Sequence, residues 1–149
     1  MATVIDRDMG WNKIKINMKQ LDDRQIKIGI MGNSGSVDGV AVLDYAAYNE
    51  FGTSTIPARP FMATTADKYR GETVKMAEVI TGNIIDGKYS VDIGLARLGA
   101  WYQSKVQATI RDAKSWAVPN AVSTVEAKGS SSPLIDTGRM IGAVRYEVK

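Results

Sequence analysis

Apolar residues along the chain recur at two different periods, and the switches between them mark out the elements. Residues 11–21 fit both periods. Trp11, Ile14, Met18 and Leu21 stand at helical spacing, whereas Ile14, Ile16 and Met18 alternate as in a strand. We read a short amphipathic helix that ends at Asp22-Asp23. From Gln25 to Met31, apolar residues alternate with polar or small ones, which predicts a half-buried strand. Residues 32–39, GNSGSVDG, then predict a flexible loop, open to service as a mobile contact segment. Gly32, Gly35 and Gly39 superficially resemble a phosphate-binding turn. No Gly-Lys-Ser/Thr follows, however, and the dinucleotide spacing fails, so glycines at special backbone angles account for them.

Val40 to Phe51 reads as a helix, with Val40, Leu43, Ala47 and Phe51 on one face, Tyr48 beside it, and Gly52 as the stop. In the following Ile-Pro-Ala-Arg-Pro-Phe, Pro60 holds Arg59 extended and suits the first position of a new helix, whose Phe61 anchors it in the core. Arg59, held between Pro57 and Pro60, has little choice of direction. That favours a bidentate carboxylate, with Glu50 and Asp136 as candidates; an exposed loop arginine is the alternative. Met62, Ala66, Tyr69, Val74, Ala77, Ile80 and Ile84 predict a long helix to Ile85, weakened at Gly71 and Thr73 and ended by Gly82 or Gly87. A second long helix runs from about Val91 to Ala113, capped by Ser90 or Asp92. Its core positions are Leu95, Leu98, Tyr102, Val106 and Ile110, with Trp101 flanking.

Ser115 to Met140 is rich in Ser, Gly, Pro and Thr and predicts a long loop that has a task or orders on assembly. Ile141 to Val148 alternates imperfectly and reads as a closing strand paired with the strand at 25–31. The expected fold is therefore α+β, a small antiparallel sheet packed against two long helices. It forms one domain over 1–149, with 1–24 its least legible part.

Composition narrows the chemistry. A chain of 149 residues is long enough for one hydrophobic core. No apolar run approaches the roughly 18 residues of a membrane span. The N-terminal MATVIDRDMGW carries Asp6 and Asp8 and no apolar segment, so no secretory leader is expected and the cytosol is the default compartment. Cysteine and histidine are both absent, which removes disulfides, thiolates, the usual zinc ligands and every triad built on histidine. The acids are scattered without calcium-loop spacing. We expect no enzyme, no cofactor and no metal.

Net charge is +3, unevenly spread. Residues 1–31 hold six basic and four acidic side chains, residues 32–96 five and eight, and residues 97–149 eight and four. A middle that is acidic between basic ends suits head-to-tail contact between copies or a basic face towards nucleic acid. Scattered charges on solvated faces give the same difference.

Asp136 stands beside Thr137 and near Arg139 and Lys128, where a Lys/Ser or Asp/Thr device could be sought. The Asp-Thr-Gly triplet also occurs in aspartic proteases, but there the aspartate works in pairs and this chain has one copy. Ordinary turn chemistry explains it, with Asp and Thr capping backbone amides and Gly turning the chain. Arg97, Lys105, Arg111 and Lys114, interleaved with Trp101, Tyr102 and Trp116, could track phosphates and stack bases. Against that reading, the charges spread around the helix and Tyr102 falls on its apolar face.

The order of segments carries a resemblance. A strand ending in IKIGIM, a glycine-rich loop, a helix running into YNEFGT, IPARPF opening a long helix, and PLIDTG before a final strand stand in that sequence. From about Gln25 to Val148 the chain resembles the tail-component or virion-morphogenesis proteins of long-tailed bacteriophages and prophages, also described as neck, head-tail joining or tail-completion proteins. The resemblance implies a structural joint at Asn49, Glu50, Phe51, Gly52, Pro57, Arg59, Pro60 and Phe61, and an assembly turn at Leu134, Ile135, Asp136, Thr137 and Gly138. It implies a homo-oligomeric ring of six or twelve copies around the DNA channel of the virion neck, assembled in the host cytoplasm. The ring would contact neighbouring connector and tail-tube or terminator proteins, and transiently packaged DNA, with no membrane involved. The extended loops, 32–39 and 115–140, would serve the assembly. A tail terminator ring is the alternative within that class, and a small sequence-independent DNA-binding protein the alternative outside it.

Overall fold

Gln25 and Lys149 exchange main-chain hydrogen bonds, each 2.8 Å long, and so close one end of the sheet. Between them β1 (Ile26–Ile30) and β4 (Val144–Val148) pair antiparallel, Ile26 opposite Val148 and Ile30 opposite Val144. The structure is a computed structural model and describes residues 7–149. Residues 1–6, and with them most of the stretch read as lacking a leader, lie outside the described residues. The remaining elements are α1 (Trp11–Asp22), the short strands β2 (Ser36–Val37) and β3 (Val40–Ala41), α2 (Val42–Phe51), α3 (Phe61–Ile85), α4 (Val91–Arg111), α5 (Ala113–Trp116), α6 (Val122–Lys128) and α7 (Arg139–Ala143). The fold is α+β: a two-stranded antiparallel sheet lies against a hairpin of two long helices, chiefly against α4.

Two glycines let these layers close. Gly94 of α4 lies against Ile84 and Ile80 of α3, and Gly99 lies against the ring of Tyr146 on β4; a Cβ at either position would collide with those side chains. Glycine in a helix interior costs about 1 kcal/mol relative to alanine. Here that cost is offset by contact between backbone and core. Ser90 starts α4, its Oγ accepting from Ile93 N at 3.3 Å, as read from the sequence.

The core has two parts, at opposite ends of the helical hairpin. One gathers Ala46, Phe61, Val106, Ile110, Leu134 and Val144 where α2 and the start of α3 meet the sheet. The other holds Ile80, Ile84 and Val91, with Leu21 of α1 packed on it. At 1.5 Å per residue α3 alone separates its two ends by roughly 37 Å. Helix α1 belongs to the second end, where Asn17 Nδ2 donates to the Ile84 carbonyl at 2.9 Å and Arg24 pairs with Asp92.

Several sequence expectations change. The predicted helix from Val40 begins at Val42, because Val40–Ala41 forms β3. Its inward face is Val42, Ala46 and Asn49; of the expected face, Val40, Leu43 and Phe51 are turned to solvent and Ala47 is half-buried. A buried asparagine broke the apolar stripe, so a pattern of apolar residues alone chose the wrong side. The loop at 32–39 contains part of a hairpin, β2–β3, turning at Asp38-Gly39 with φ of 50° and 81°. Two positive φ values in an Asp-Gly turn match the right-handed twist of the strands. The long loop at 115–140 carries α6, entered after Pro119 and ended by Gly129 at φ 65°, and the start of α7. Residues 141–143 finish α7, so the closing strand begins at Val144. Pro60 precedes α3 instead of opening it, α4 ends at Arg111, and Ala66 and Val74 of the expected α3 core face are exposed.

Candidate functional site

The joint between α2 and α3 is assembled by three polar side chains, each committed to main-chain atoms. The first four N–H groups of a helix lack internal partners and carry partial positive charge. At α3 the preceding Pro60 has no side chain to offer them. Glu50, from the last turn of α2, fills that role: its carboxylate accepts from Met62 N at 2.9 Å and Ala63 N at 3.1 Å.

Arg59 serves the opposite helix end. Its main-chain N–H donates to the Asn49 carbonyl in the last turn of α2, and its guanidinium lies beside that negative terminus. Only 6% exposed, the side chain donates from Nε to the Val118 carbonyl at 2.7 Å, from Nη2 to the Pro119 carbonyl at 3.2 Å, and from Nη1 to Asn49 Oδ1 at 3.4 Å. Burial pulls its pKa below the ordinary arginine value, yet a guanidinium with so high a starting value remains charged at neutral pH. Asn49 is held in turn by its Nδ2 donating to Tyr45 O at 2.9 Å. The partner expected for Arg59, a carboxylate of Glu50 or Asp136, is thus corrected, as is the exposed-loop alternative. Three oxygens of the 118–119 backbone and Asn49 hold it, because the fork meets the strap leading into α6 instead of the Asp136 turn. Neither carbonyl could have been singled out from sequence.

Gly52 makes the joint's sharp exit. It sits at φ 76° and ψ 170°, and a Cβ there would stand 3.0 Å from Ala58 N and 3.1 Å from Ile56 O. Thr53 Oγ1 closes the loop beyond it by accepting from Ile56 N at 3.0 Å. Phe61 is buried in the core as expected, Pro57 and Pro60 are exposed, and Phe51 is 80% exposed.

In the second motif Leu134 is buried and Ile135 packs on the same core. Asp136 and Thr137 are exposed, and neither caps α7, which has no side-chain cap; Gly138 at φ 75° makes the turn unaided. That corrects the capping expected of Asp and Thr. Next to them Arg139 Nη1 donates to the Ser36 carbonyl at 2.9 Å and stitches this turn to the β2–β3 hairpin. The two motifs therefore meet across one cavity of about 370 Å3. Val37, Val40, Tyr45, Tyr48, Leu134 and Met140 are among its walls, with Asp38 and Asp136 also lining it. Lys128 lies apart from Asp136, lining a different groove with Arg59, Asn120 and Pro133.

The basic set does not form one surface. Arg97 lies over the Tyr89 ring at 4.5 Å. Lys105 pairs with Glu72 at 2.8 Å between the rings of Tyr69 and Trp101. Arg111 and Lys114 are exposed. Two of the three aromatics expected to stack bases are engaged inside: Tyr102 and Trp116 pack on the core, and Trp116 Nε1 donates to Thr109 O at 3.0 Å. Among the described residues there is no cluster of three acids, histidines or cysteines for a metal and no helix long and apolar enough to cross a membrane.

No family model, no curated protein and no solved structure matches the chain.

Proposed function

We propose that this chain is a structural subunit of a bacteriophage head-tail connection, one copy of a homo-oligomeric neck or tail-completion ring around the DNA channel. The observation that carries the reading is how the motif residues divide. Asn49, Glu50 and Arg59 are consumed by backbone hydrogen bonds, while on the same helix Tyr48 stays exposed in the wall of an apolar cavity and Leu43 and Phe51 are exposed elsewhere on its surface. Large apolar side chains left exposed around an open apolar cavity favour contact with another protein. The joint gives that surface a rigid mount, since the Glu50 side chain caps the start of α3 and the Arg59 main-chain N–H meets the Asn49 carbonyl at the end of α2. Its residues are those on which the resemblance to neck proteins rests, and PLIDTG forms the far wall of the cavity.

Electron microscopy of a lysate from phage lacking the gene tests the reading. Filled heads beside detached tails of normal length are expected. Tails of uncontrolled length would assign the ring to tube termination instead, and intact infectious virions would refute both.

A further inference from the structure

Helix α1 is the least explained element of the fold. None of its twelve residues is fully buried. Ile14, Asn17 and Leu21 face the body, whereas Trp11 is 63% and Met18 54% exposed. At 100° per residue, Trp11, Lys15 and Met18 fall on one outward stripe with Lys19 at its edge. The helix thus offers two apolar anchors, seven residues apart, among lysines. At the other end of the α3–α4 hairpin the 370 Å3 cavity offers apolar walls, with Asp38 and Asp136 exposed. A cavity of about 150 Å3 already accepts a benzene ring, so this one has room for an indole and a neighbouring side chain. The third charged group lining it, Arg139, is tied to the Ser36 carbonyl.

We propose that α1 of one copy docks, through Trp11 and Met18, into the cavity of the next, with Lys15 and Lys19 facing Asp38 and Asp136. This deepens the ring reading and rests on it for the choice of a second copy as occupant. Charge supports the pairing: Trp11–Asp22 holds three lysines against Asp22, whereas the cavity lining holds two aspartates against one engaged arginine. Position supports it too. Knob and socket at opposite ends of one body cannot meet within the monomer and generate head-to-tail association, which closes into a ring when the rotation between copies allows. An amphipathic helix laid in an apolar groove is a recurring mode of protein recognition.

The test uses the full chain in sedimentation velocity. The wild-type protein should pass from monomer to larger species as concentration rises. Trp11→Ala with Met18→Ala should weaken that association at least tenfold while leaving the circular dichroism spectrum and melting temperature unchanged, since both residues are exposed. The decisive pair is a charge exchange. Lys15→Glu/Lys19→Glu alone and Asp38→Asn/Asp136→Lys alone should each be monomeric; asparagine tolerates the positive φ at 38. Mixed in equal amounts, they should assemble in alternation. A monomeric wild-type chain, a Trp11/Met18 variant that assembles normally, or a mixture that stays monomeric each overturns the interface. Failure of this interface is separable from failure of the ring reading. Normal head-tail joining by the Trp11/Met18 variant removes the interface alone. Assembly through α1 of a protein whose gene is dispensable for virions removes the neck role alone.

Discussion

The carboxylate of Glu50 accepts hydrogen bonds from the main-chain N–H of Met62 at 2.9 Å, and also from Ala63 at 3.1 Å, so the last turn of α2 caps the first turn of α3. A cap is ordinarily local, supplied by the residue just before the helix. Here it is borrowed across the 52–60 turn, which makes the angle between the two helices part of the capping geometry. Glu50→Ala should cost about 1–2 kcal/mol, and Glu50→Gln, which keeps one acceptor oxygen and loses the charge at the helix dipole, about half of that. Urea titration measures both; equal stability of all three proteins would refute the cap.

Arg59 should be the most sensitive position of the joint. Removing it leaves the buried Asn49 Oδ1 and the part-buried Val118 and Pro119 carbonyls without their donor. Hydrogen bonds to charged groups contribute about 1.5–3 kcal/mol each. Arg59→Ala should therefore destabilise by at least about 3 kcal/mol. Arg59→Lys should recover little of it, because an ammonium cannot reproduce the planar fork. Combined with Phe61→Ala, itself worth about 3–5 kcal/mol in a core, the loss should leave the chain unfolded at ambient temperature. A stable, cooperatively melting double variant would remove the claim that this joint organises the fold.

The two long helices, the outer strands and the pairing of β1 with β4 were legible because each rests on a periodic pattern in one segment. What remained hidden depends on partners distant in sequence. Asn49 broke the apolar stripe of α2 and inverted its orientation, and its burial makes sense only once Arg59 and Tyr45 are beside it. Gly94 and Gly99 look like helix breakers until Ile84 and Tyr146 are seen against them. The Asp38-Gly39 turn carried a readable hairpin signal, missed because strands of two residues have no measurable alternation. Of the candidate site, the motif residues were visible as a group and Phe61 as a core anchor, but the burial of Asn49 and Arg59 was not.

Glycines of opposite role give a paired expectation. Gly52 occupies a backbone region essentially reserved for glycine, with the backbone of Ile56 and Ala58 against its missing Cβ, so Gly52→Ala should destabilise by about 1–3 kcal/mol. Gly71 lies in the middle of α3 with open space where a Cβ would go, and Gly71→Ala should stabilise by about 0.5–1 kcal/mol. Thermal melts of the two variants should shift in opposite directions; shifts of the same sign would contradict the geometry at one site or the other.

Tyr102 should make stability fall at alkaline pH. It packs against the core cluster, its hydroxyl bonds to no other described residue, and burial raises its phenol pKa above the ordinary 10.0. Because the folded value is the higher one, the contribution of the neutral phenol is complete below about pH 10 and is lost as pH rises through the folded value, where the unfolded chain ionises more readily. Tyr102→Phe removes that proton without removing the ring. It should change stability by no more than about 0.5 kcal/mol at pH 7, then lose less stability than the wild-type protein between pH 9 and pH 11. Every other ionisable group is common to both proteins, so the difference between their two pH profiles isolates position 102. Parallel profiles across that range would show that packing of the Tyr102 ring leaves the proton affinity of its hydroxyl unchanged.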